Sequence, residues 1–169
     1  HLLVETVFMV KSYPDEFKSA TSLIYDFWKE IGDTDAIEQY EMQPFDIRVQ
    51  TLERTLIDKV FALCNHALSG KIKGLSRHIY DLSKLLTKVE LTDELKQFVK
   101  EIRYARKENE RYLIEQGDEH IPSILRDIID KGIYRQDYEQ ITRYMLYDTT
   151  PYDEAIKSLE TIIASGVFE

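Results

Sequence analysis

The stretch from Thr51 to Leu86 constrains the fold of this chain more than any other part of it. It holds two segments, TLERTLIDKVFALCNHAL and LSRHIYDLSKLL, which are separated by the short segment SGKIKG. In both, apolar residues recur every three or four positions, which indicates a helix with one buried face. The glycines between them are typical of a tight connection. We therefore predict two helices joined by a short loop.

Each predicted helix carries a small polar cluster at the edge of its apolar face. These residues are Thr55, Lys59 and His66 in the first helix, and Arg77, His78 and Asp81 in the second. A boundary lysine can lay its stem on the core and extend its ammonium into a cleft. The spacing also fits simpler interpretations, in which Lys59 is an ordinary boundary lysine and Arg77 forms a surface ion pair with Asp81, four residues away. The pattern leaves a shared cleft and a surface pair both open.

Composition indicates a globular protein that does not bind nucleic acid over its whole surface. Hydrophobic residues make up 43% and charged residues 31% of the 169 residues, which is typical of a folded domain. The formal net charge of -9 argues against a general phosphate-binding coat, although a local basic face remains compatible with it. The single Cys64 fits a reducing compartment, and no apolar run approaches the roughly 20 residues that cross a bilayer. We expect a cytoplasmic protein without a membrane partner.

The first fifty residues have the pattern of a mixed α/β layer. Leu2 to Val10 reads as a buried strand that contains one carboxylate, Glu5. Asp15 to Ile31 has helical spacing, and two short strand candidates follow, IEQYEM and FDIRVQ. A chain that opens inside a strand is typical of a truncated sheet. We predict an α+β, mostly α fold, in which about three strands in residues 1–50 precede a helical domain in residues 51–169.

The predicted helix from Asp93 to Gln116 carries a basic stripe. Its members are Lys96, Lys100, Arg103, Lys107 and Arg111, with Tyr104 beside them. A charged stripe is usually a solvated helix face with internal ion pairs. Segregated cations in an acidic protein are also a candidate contact for an RNA backbone. Further helices are predicted over Ile121 to Lys131, Tyr134 to Tyr147 and Tyr152 to Ala164, with Pro151 at a first helical position.

The chain lacks the short motifs of the common enzyme classes. It has no phosphate-binding glycine loop, no nucleophile elbow, and no histidine or cysteine spacing of a zinc site. Cys64 lies within the apolar arc of its helix, so we interpret it as a core residue. Five tyrosines in the last third of the chain are interpreted as packing residues with their hydroxyls at the rim. They are Tyr134, Tyr138, Tyr144, Tyr147 and Tyr152.

The central stretch resembles the AbiEii/AbiGii-type toxin nucleotidyltransferases, which belong to the polymerase-β-like nucleotidyltransferase superfamily. Thr51-Leu52-Glu53-Arg54-Thr55 followed by Lys59, and later Arg77 followed by Asp81-Leu82, match the family pattern in order and spacing. The segment YDTTPYDEAIKSLETII is similar to the closing helix of the family. The resemblance is most specific between Thr51 and Leu86, and it suggests the C-terminal portion of such an enzyme.

The resemblance implies a role for each matching residue. Lys59 would clamp the triphosphate of an NTP, with Thr55 and Arg77 also at the nucleotide. Asp81 would orient the site. Glu5 would correspond to a later acidic residue that helps to activate the acceptor hydroxyl or to bind Mg²⁺. The implied reaction transfers a nucleotide from an NTP to an RNA end, such as that of a tRNA, or to a protein hydroxyl, and a cognate antitoxin would be the protein partner.

The sequence departs from the family pattern in one respect. The glycine-serine turn and paired aspartates that hold Mg²⁺ in this family are not in these 169 residues. We therefore expect this chain alone to be catalytically inactive, because nucleotidyl transfer needs those carboxylates. The alternative is a non-catalytic helical domain that binds an antitoxin or another partner, in which Lys59 and Asp81 merely pair.

Overall fold

The structure is a computed structural model that describes residues 14–106 and 120–169. Within these ranges the chain separates into two compact units, one inside Ser12–Thr51 and the other inside Leu52–Glu169. The fold is α+β and mostly helical, which confirms the predicted class. The predicted strand from Leu2 to Val10, including Glu5, lies outside the described residues. The interpretation of residues 1–50 as part of a nucleotidyltransferase core stays a prediction.

The first unit is a two-stranded antiparallel sheet with two short helices. Its elements are β1 (Asp15–Ala20), α1 (Leu23–Ile31), α2 (Thr34–Gln39) and β2 (Phe45–Gln50). The strands pair from Asp15 opposite Gln50 to Ala20 opposite Phe45. Helix α1 begins at Ser22, whose side chain accepts a hydrogen bond from the Tyr25 N–H, and ends at Gly32. The pairing of β1 with β2 and the caps at the ends of α1 therefore fix the bounds of these short elements.

Two predictions for this unit are wrong. Asp15 to Ala20 was expected to begin a helix, but it is strand β1. A segment of only six residues can fit both the helical and the strand spacing of apolar residues, and its hydrogen bonds to β2 make it a strand. The segment from Ile37 to Met42, expected to be a strand, is not one: its first three residues end helix α2 and the others follow that helix. The helix forms there because the Asp33 carboxylate accepts a hydrogen bond from the Ala36 N–H and caps it. The second strand candidate is confirmed as β2.

The regular elements of the second unit, within its described residues, are all helices. Its elements are α3 (Leu52–Ser69), α4 (Arg77–Leu85), α5 (Asp93–Arg106), α6 (Ile121–Asp130), α7 (Arg135–Gln140), a 3₁₀ helix (Thr142–Met145), α8 (Tyr152–Ala155) and α9 (Lys157–Ser165). The two central helices α3 and α4 are confirmed, and they pack against each other. None of the described helices combines the length and the apolar character needed to span a membrane.

The core of this unit gathers the apolar faces of its helices. Phe61 and Leu63 of α3 are fully buried, as are Leu82 of α4 and Leu125 of α6. Cys64 is buried in the same cluster, in agreement with its interpretation as a core residue. Burying such side chains contributes roughly 1.5–3 kcal/mol each. The two central helices are therefore fixed by the core on one side, which leaves their polar edges to form a surface.

The loop between α3 and α4 is held by a carboxylate from a distant helix. Asp137 of α7 is 8% exposed, and its carboxylate accepts hydrogen bonds from the N–H groups of Gly74 (2.7 Å) and Ser76 (3.1 Å). Gly74 has a φ of 76°, a conformation that glycine adopts without the strain of a side chain. The start of α4 is therefore positioned by contacts with the C-terminal part of the chain.

The predicted helix from Tyr134 to Tyr147 is shorter than expected. Helix α7 ends at Gln140, and a 3₁₀ helix follows. Pro151 stands at the N-cap of α8 rather than at its first position. The tyrosines also divide: three are buried, whereas Tyr144 and Tyr147 are exposed. The buried Tyr134 donates its hydroxyl hydrogen bond to the Leu63 carbonyl (2.9 Å), within the core rather than at its rim.

Candidate functional site

The polar edges of α3 and α4 meet at one ion pair. The ammonium of Lys59 donates a hydrogen bond of 2.6 Å to Asp81 Oδ2. The side chain of Lys59 is 29% exposed and that of Asp81 is 32% exposed, so the pair lies at the border between core and solvent. The structure thus brings together the two residues that the sequence singled out as site candidates.

The surroundings of Asp81 keep its carboxylate ionised. Partial burial opposes the charge and by itself raises the pKa of Asp81. The neighbouring His78 and the Lys59 ammonium outweigh burial, so the pKa of Asp81 lies below its ordinary value. His78 Nδ1 is 3.9 Å from Asp81 Oδ2 and 11% of the His78 side chain is exposed. The Asp81 group is therefore a stable negative charge rather than a proton acceptor at neutral pH.

A cleft of about 610 Å³ opens along this edge of the helix pair. The residues that line it are Leu52, Thr55, Lys59, Tyr80, Asp81, Lys84, Leu85, Thr87 and Lys88. Its described lining carries three lysines and one carboxylate, although the chain as a whole has a net charge of -9. We call it the α3–α4 cleft. Its charge suits an anionic ligand, and its volume falls in the range of small-molecule sites.

Lys84 joins this cleft to the loop before α8. Its ammonium lies 2.8 Å from Asp148 Oδ2 and 3.1 Å from Thr150 Oγ1. It also lies 5.1 Å from the centre of the Tyr80 ring, within the range of a cation–π contact. The Asp148 carboxylate raises the pKa of Lys84 by hydrogen bonding. Lys88 forms no ion pair with any described residue.

Three further predicted residues have different positions relative to this cleft. Thr55 lines it and is half-buried. Arg77 is exposed and does not pair with Asp81 among the contacts of the described chain, so the expected pair at four-residue spacing is replaced by Lys59 with Asp81. His66 stacks on His78, with ring centres 6.1 Å apart. Burial, the largest effect, together with nearby His78 and Lys71, lowers the pKa of His66.

The basic stripe is only partly within the described residues. Lys100 on α5 is exposed, whereas Lys96 and Arg103 are half-buried. Tyr104 beside them has 82% of its surface exposed. The remaining members, Lys107 and Arg111, lie outside the described residues, as does Glu5. Whether the stripe contacts RNA stays a prediction.

Sequence reasoning missed Tyr80, Lys84 and Lys88 as cleft residues. A signal for them was present, since these residues follow one another at spacings of four and therefore share one side of α4 and its continuation. The cleft therefore has more positive charge than the sequence pattern indicated.

The described residues do not form a magnesium site by themselves. No group of three or more His, Cys, Asp or Glu side chains among them could hold a metal ion. Asp81 is one carboxylate, and Lys59 occupies Oδ2 of it. Mg²⁺ in phosphoryl-transfer sites is usually bound by one or two carboxylates together with substrate phosphates. We derive no chemical step that depends on a metal ion held by these residues.

The chain matches a known protein family over most of its length. A family model described as "Nucleotidyl transferase AbiEii toxin, Type IV TA system" matches residues 1–164. This match covers nearly the whole chain, so the expected restriction of the resemblance to a C-terminal portion is not supported. Neither the comparison with curated proteins nor that with solved structures returned a match.

Proposed function

The chain belongs to the AbiEii family of toxin nucleotidyltransferases, and we propose that its α3–α4 cleft binds the triphosphate of an NTP. The observation that carries this proposal is the ion pair of Lys59 and Asp81 inside a cleft that two further lysines line. The nucleotide would then be transferred to a hydroxyl group of an acceptor. The NTP is thus the proposed substrate, and the cleft is its site.

The charge of the cleft supports a polyphosphate ligand. Lys59 already has a counter-charge in Asp81, and Lys84 has one in Asp148, while Lys88 forms no ion pair within the described residues. A lysine ammonium is a compact charge with three donors and suits phosphate oxygens. Tyr80 adds an aromatic surface beside these cations. We propose that Lys59 and Lys88 contact the phosphates.

Asp81 acts in this proposal as the residue that positions Lys59. Its lowered pKa keeps the carboxylate charged, and its 2.6 Å hydrogen bond fixes the ammonium at the cleft edge. An ammonium that is held in place before the ligand arrives loses less conformational freedom on binding. Thr55, which lines the same cleft, is a proposed hydroxyl contact to the nucleotide.

The proposed reaction is a single displacement at the α-phosphorus of the NTP. The acceptor hydroxyl oxygen forms a bond to this phosphorus, while the bond between the phosphorus and the oxygen that bridges to the β-phosphate breaks. Pyrophosphate leaves with that electron pair, and the hydroxyl proton passes to solvent. The lysines would stabilise the negative charge that develops on the leaving group. Asp81 is not proposed as the base, because its pKa is lowered.

The acceptor in this proposal is an RNA end, with a protein hydroxyl as the second possibility. The described part of the basic stripe on α5 is a candidate contact for an RNA backbone, because segregated cations attract phosphates. A cognate antitoxin is the proposed protein partner, since the family model describes a toxin of a toxin–antitoxin system.

The test compares NTP affinity of the wild type with that of Lys59→Ala. We expect Lys59→Ala to weaken binding of a fluorescent NTP by about tenfold or more, since a charged hydrogen bond contributes about 1.5–3 kcal/mol. Lys131→Ala is the matched control, because Lys131 is an exposed lysine at the C-cap of α6, outside the cleft. Equal affinity of wild type and Lys59→Ala would refute the nucleotide site and favour the non-catalytic interaction domain.

A second measurement tests the transfer reaction itself. The chain is incubated with labelled NTP, Mg²⁺ and total RNA or protein, and the transferred label is counted. Transfer that depends on Lys59 supports the enzyme. Nucleotide binding without transfer agrees with the prediction that the chain alone is inactive, since its described residues do not supply a cluster of metal-binding carboxylates.

A further inference from the structure

A second cleft lies where α7, the 3₁₀ helix and the start of α8 meet. It has a volume of about 320 Å³. The residues that line it are Tyr138, Glu139, Arg143, Tyr144, Thr149, Thr150, Pro151, Tyr152 and Asp153. We call it the tyrosine cleft. Three of these residues are tyrosines, which makes its lining strongly aromatic.

The exposed part of the tyrosine cleft combines an aromatic ring with an arginine. Tyr144 has 80% of its surface exposed, and the adjacent Arg143 is also exposed and has no ion pair with any described residue. Sites for single-stranded nucleic acid use this combination, because bases stack on aromatic faces and arginine contacts phosphates. A tyrosine with most of its surface in water gains little from packing, so its ring is available for such stacking.

The acidic residues of the tyrosine cleft do not oppose a phosphate ligand strongly. Arg135 holds both of them: its guanidinium lies 2.6 Å from the Asp153 carboxylate and 3.5 Å from that of Glu139. Arg143 adds a further positive charge to this group. The two arginines, Arg135 and Arg143, therefore balance the two carboxylates of the tyrosine cleft, Glu139 and Asp153.

The tyrosine cleft adjoins the α3–α4 cleft through one hydrogen bond. Lys84, which lines the α3–α4 cleft, lies 3.1 Å from the hydroxyl of Thr150, which lines the tyrosine cleft. Nucleotidyl transfer requires the acceptor hydroxyl to reach the α-phosphorus of the donor, so a donor site needs an acceptor site beside it. Both clefts belong to the helical unit, and the Lys84–Thr150 hydrogen bond places their linings side by side.

We propose that the tyrosine cleft binds the unpaired terminal nucleotide of a single-stranded RNA, with its base stacked on Tyr144 and its phosphate at Arg143. This inference rests on the proposed function, since it names where the acceptor of that reaction binds. An end with a free ribose hydroxyl is the form of RNA that such a reaction requires.

The test measures binding of a fluorescein-labelled oligoadenylate with a free 3′ hydroxyl by fluorescence anisotropy. We expect Tyr144→Ala and Arg143→Ala each to weaken binding by about tenfold, because one base stack contributes roughly 1–3 kcal/mol. Tyr144→Phe keeps the ring and is expected to bind as the wild type does. Arg126→Ala, an exposed arginine of α6, is the matched control. The same RNA in a blunt duplex should compete poorly, because its bases are already stacked.

Several outcomes would overturn the RNA site. Absence of RNA binding by the wild type would do so, as would wild-type binding by Tyr144→Ala, or equal loss in Tyr144→Phe and Tyr144→Ala. Binding of a fluorescent NTP is measured on the same proteins. Normal NTP binding with wild-type RNA binding in Tyr144→Ala refutes the tyrosine cleft alone. Lost RNA binding in Tyr144→Ala together with unchanged NTP binding in Lys59→Ala refutes the donor site instead.

Discussion

Lys59 and Asp81 are 22 residues apart in the chain, and their side chains form a 2.6 Å hydrogen bond between α3 and α4. The pair is about one-third exposed, which places it between a surface ion pair and a buried one. A surface pair contributes little to stability, whereas breaking a buried pair is costly. The position of this pair therefore allows both a structural and a ligand-binding role.

The first prediction concerns the coupling between the two residues. A double-mutant cycle with Lys59→Ala, Asp81→Ala and the double variant should give a favourable coupling of about 1 kcal/mol in the free energy of unfolding. Urea titration measures all four proteins. Additive effects of the two single substitutions would show that the contact does not stabilise the fold.

The second prediction is the pH dependence of this stabilisation. The folded-state pKa of Asp81 lies below that of the unfolded chain, because His78 and Lys59 outweigh the opposing effect of burial. The contribution of Asp81 is therefore fully present above the unfolded pKa of about 3.9 and is lost as the pH falls through the lower folded value. Urea unfolding of wild type and Asp81→Asn should differ at pH 6 and converge in this acidic range. A difference in the free energy of unfolding between the two proteins that stays constant down to the lowest pH would contradict the lowered pKa of Asp81.

The third prediction concerns Asp148, which holds Lys84 by an exposed ion pair. Asp148→Asn removes the charge but keeps the carbonyl oxygen that accepts the Thr150 hydroxyl. Lys84 is then available to a phosphate, so NTP affinity should rise by up to about fivefold. Lys84→Ala should lower it.

The control for Asp148 is Asp127→Asn. Asp127 of α6 forms another exposed ion pair with Lys131 at the C-cap of this helix, but neither residue lines the α3–α4 cleft. Titration of a fluorescent NTP should therefore give the wild-type affinity for Asp127→Asn. Unchanged affinity in both Asp148→Asn and Lys84→Ala would exclude Lys84 from phosphate binding.

The fourth prediction concerns Asp137 and the loop before α4. Burial opposes ionisation of this carboxylate, but hydrogen bonds from Gly74 and Ser76 outweigh it and lower the pKa of Asp137. Asp137→Ala leaves two backbone N–H groups without their acceptor and should lower the free energy of unfolding by about 2 kcal/mol. Urea unfolding measures it, and the exposed Asp127→Ala should change stability by less than about 0.5 kcal/mol. Equal effects of the two substitutions would show that the loop does not depend on Asp137.

Local patterns in the sequence predicted the two central helices of the second unit, α3 and α4. Helical spacing in α3 and α4 extends over several turns, and the core residues Leu56, Val60 and Ile79 follow it. Long amphipathic segments carry enough repeats for one period to dominate. Short segments do not, and Asp15 to Ala20 became a strand because β2 supplies its hydrogen bonds.

The sequence identified only part of the candidate site. Lys59 and Asp81 stood out through their family pattern, but spacing favoured Arg77 as the partner of Asp81. The packing of α3 on α4 makes Lys59 the partner of Asp81, because side chains on facing helices can meet although they are far apart in the chain. Local spacing describes one helix at a time and contains no information about such an approach.

The sequence by itself determined the two central helices α3 and α4, their apolar faces and the family to which the chain belongs. Only the tertiary structure decided which polar groups meet. Asp58 shows this, because two arginines pair with its carboxylate. The first, Arg54, is four residues away on α3, as local spacing allows, whereas the second, Arg106, reaches it from α5. The physical reason is that burial of apolar faces fixes how helices pack, and their edge charges must then pair with whatever that packing places beside them.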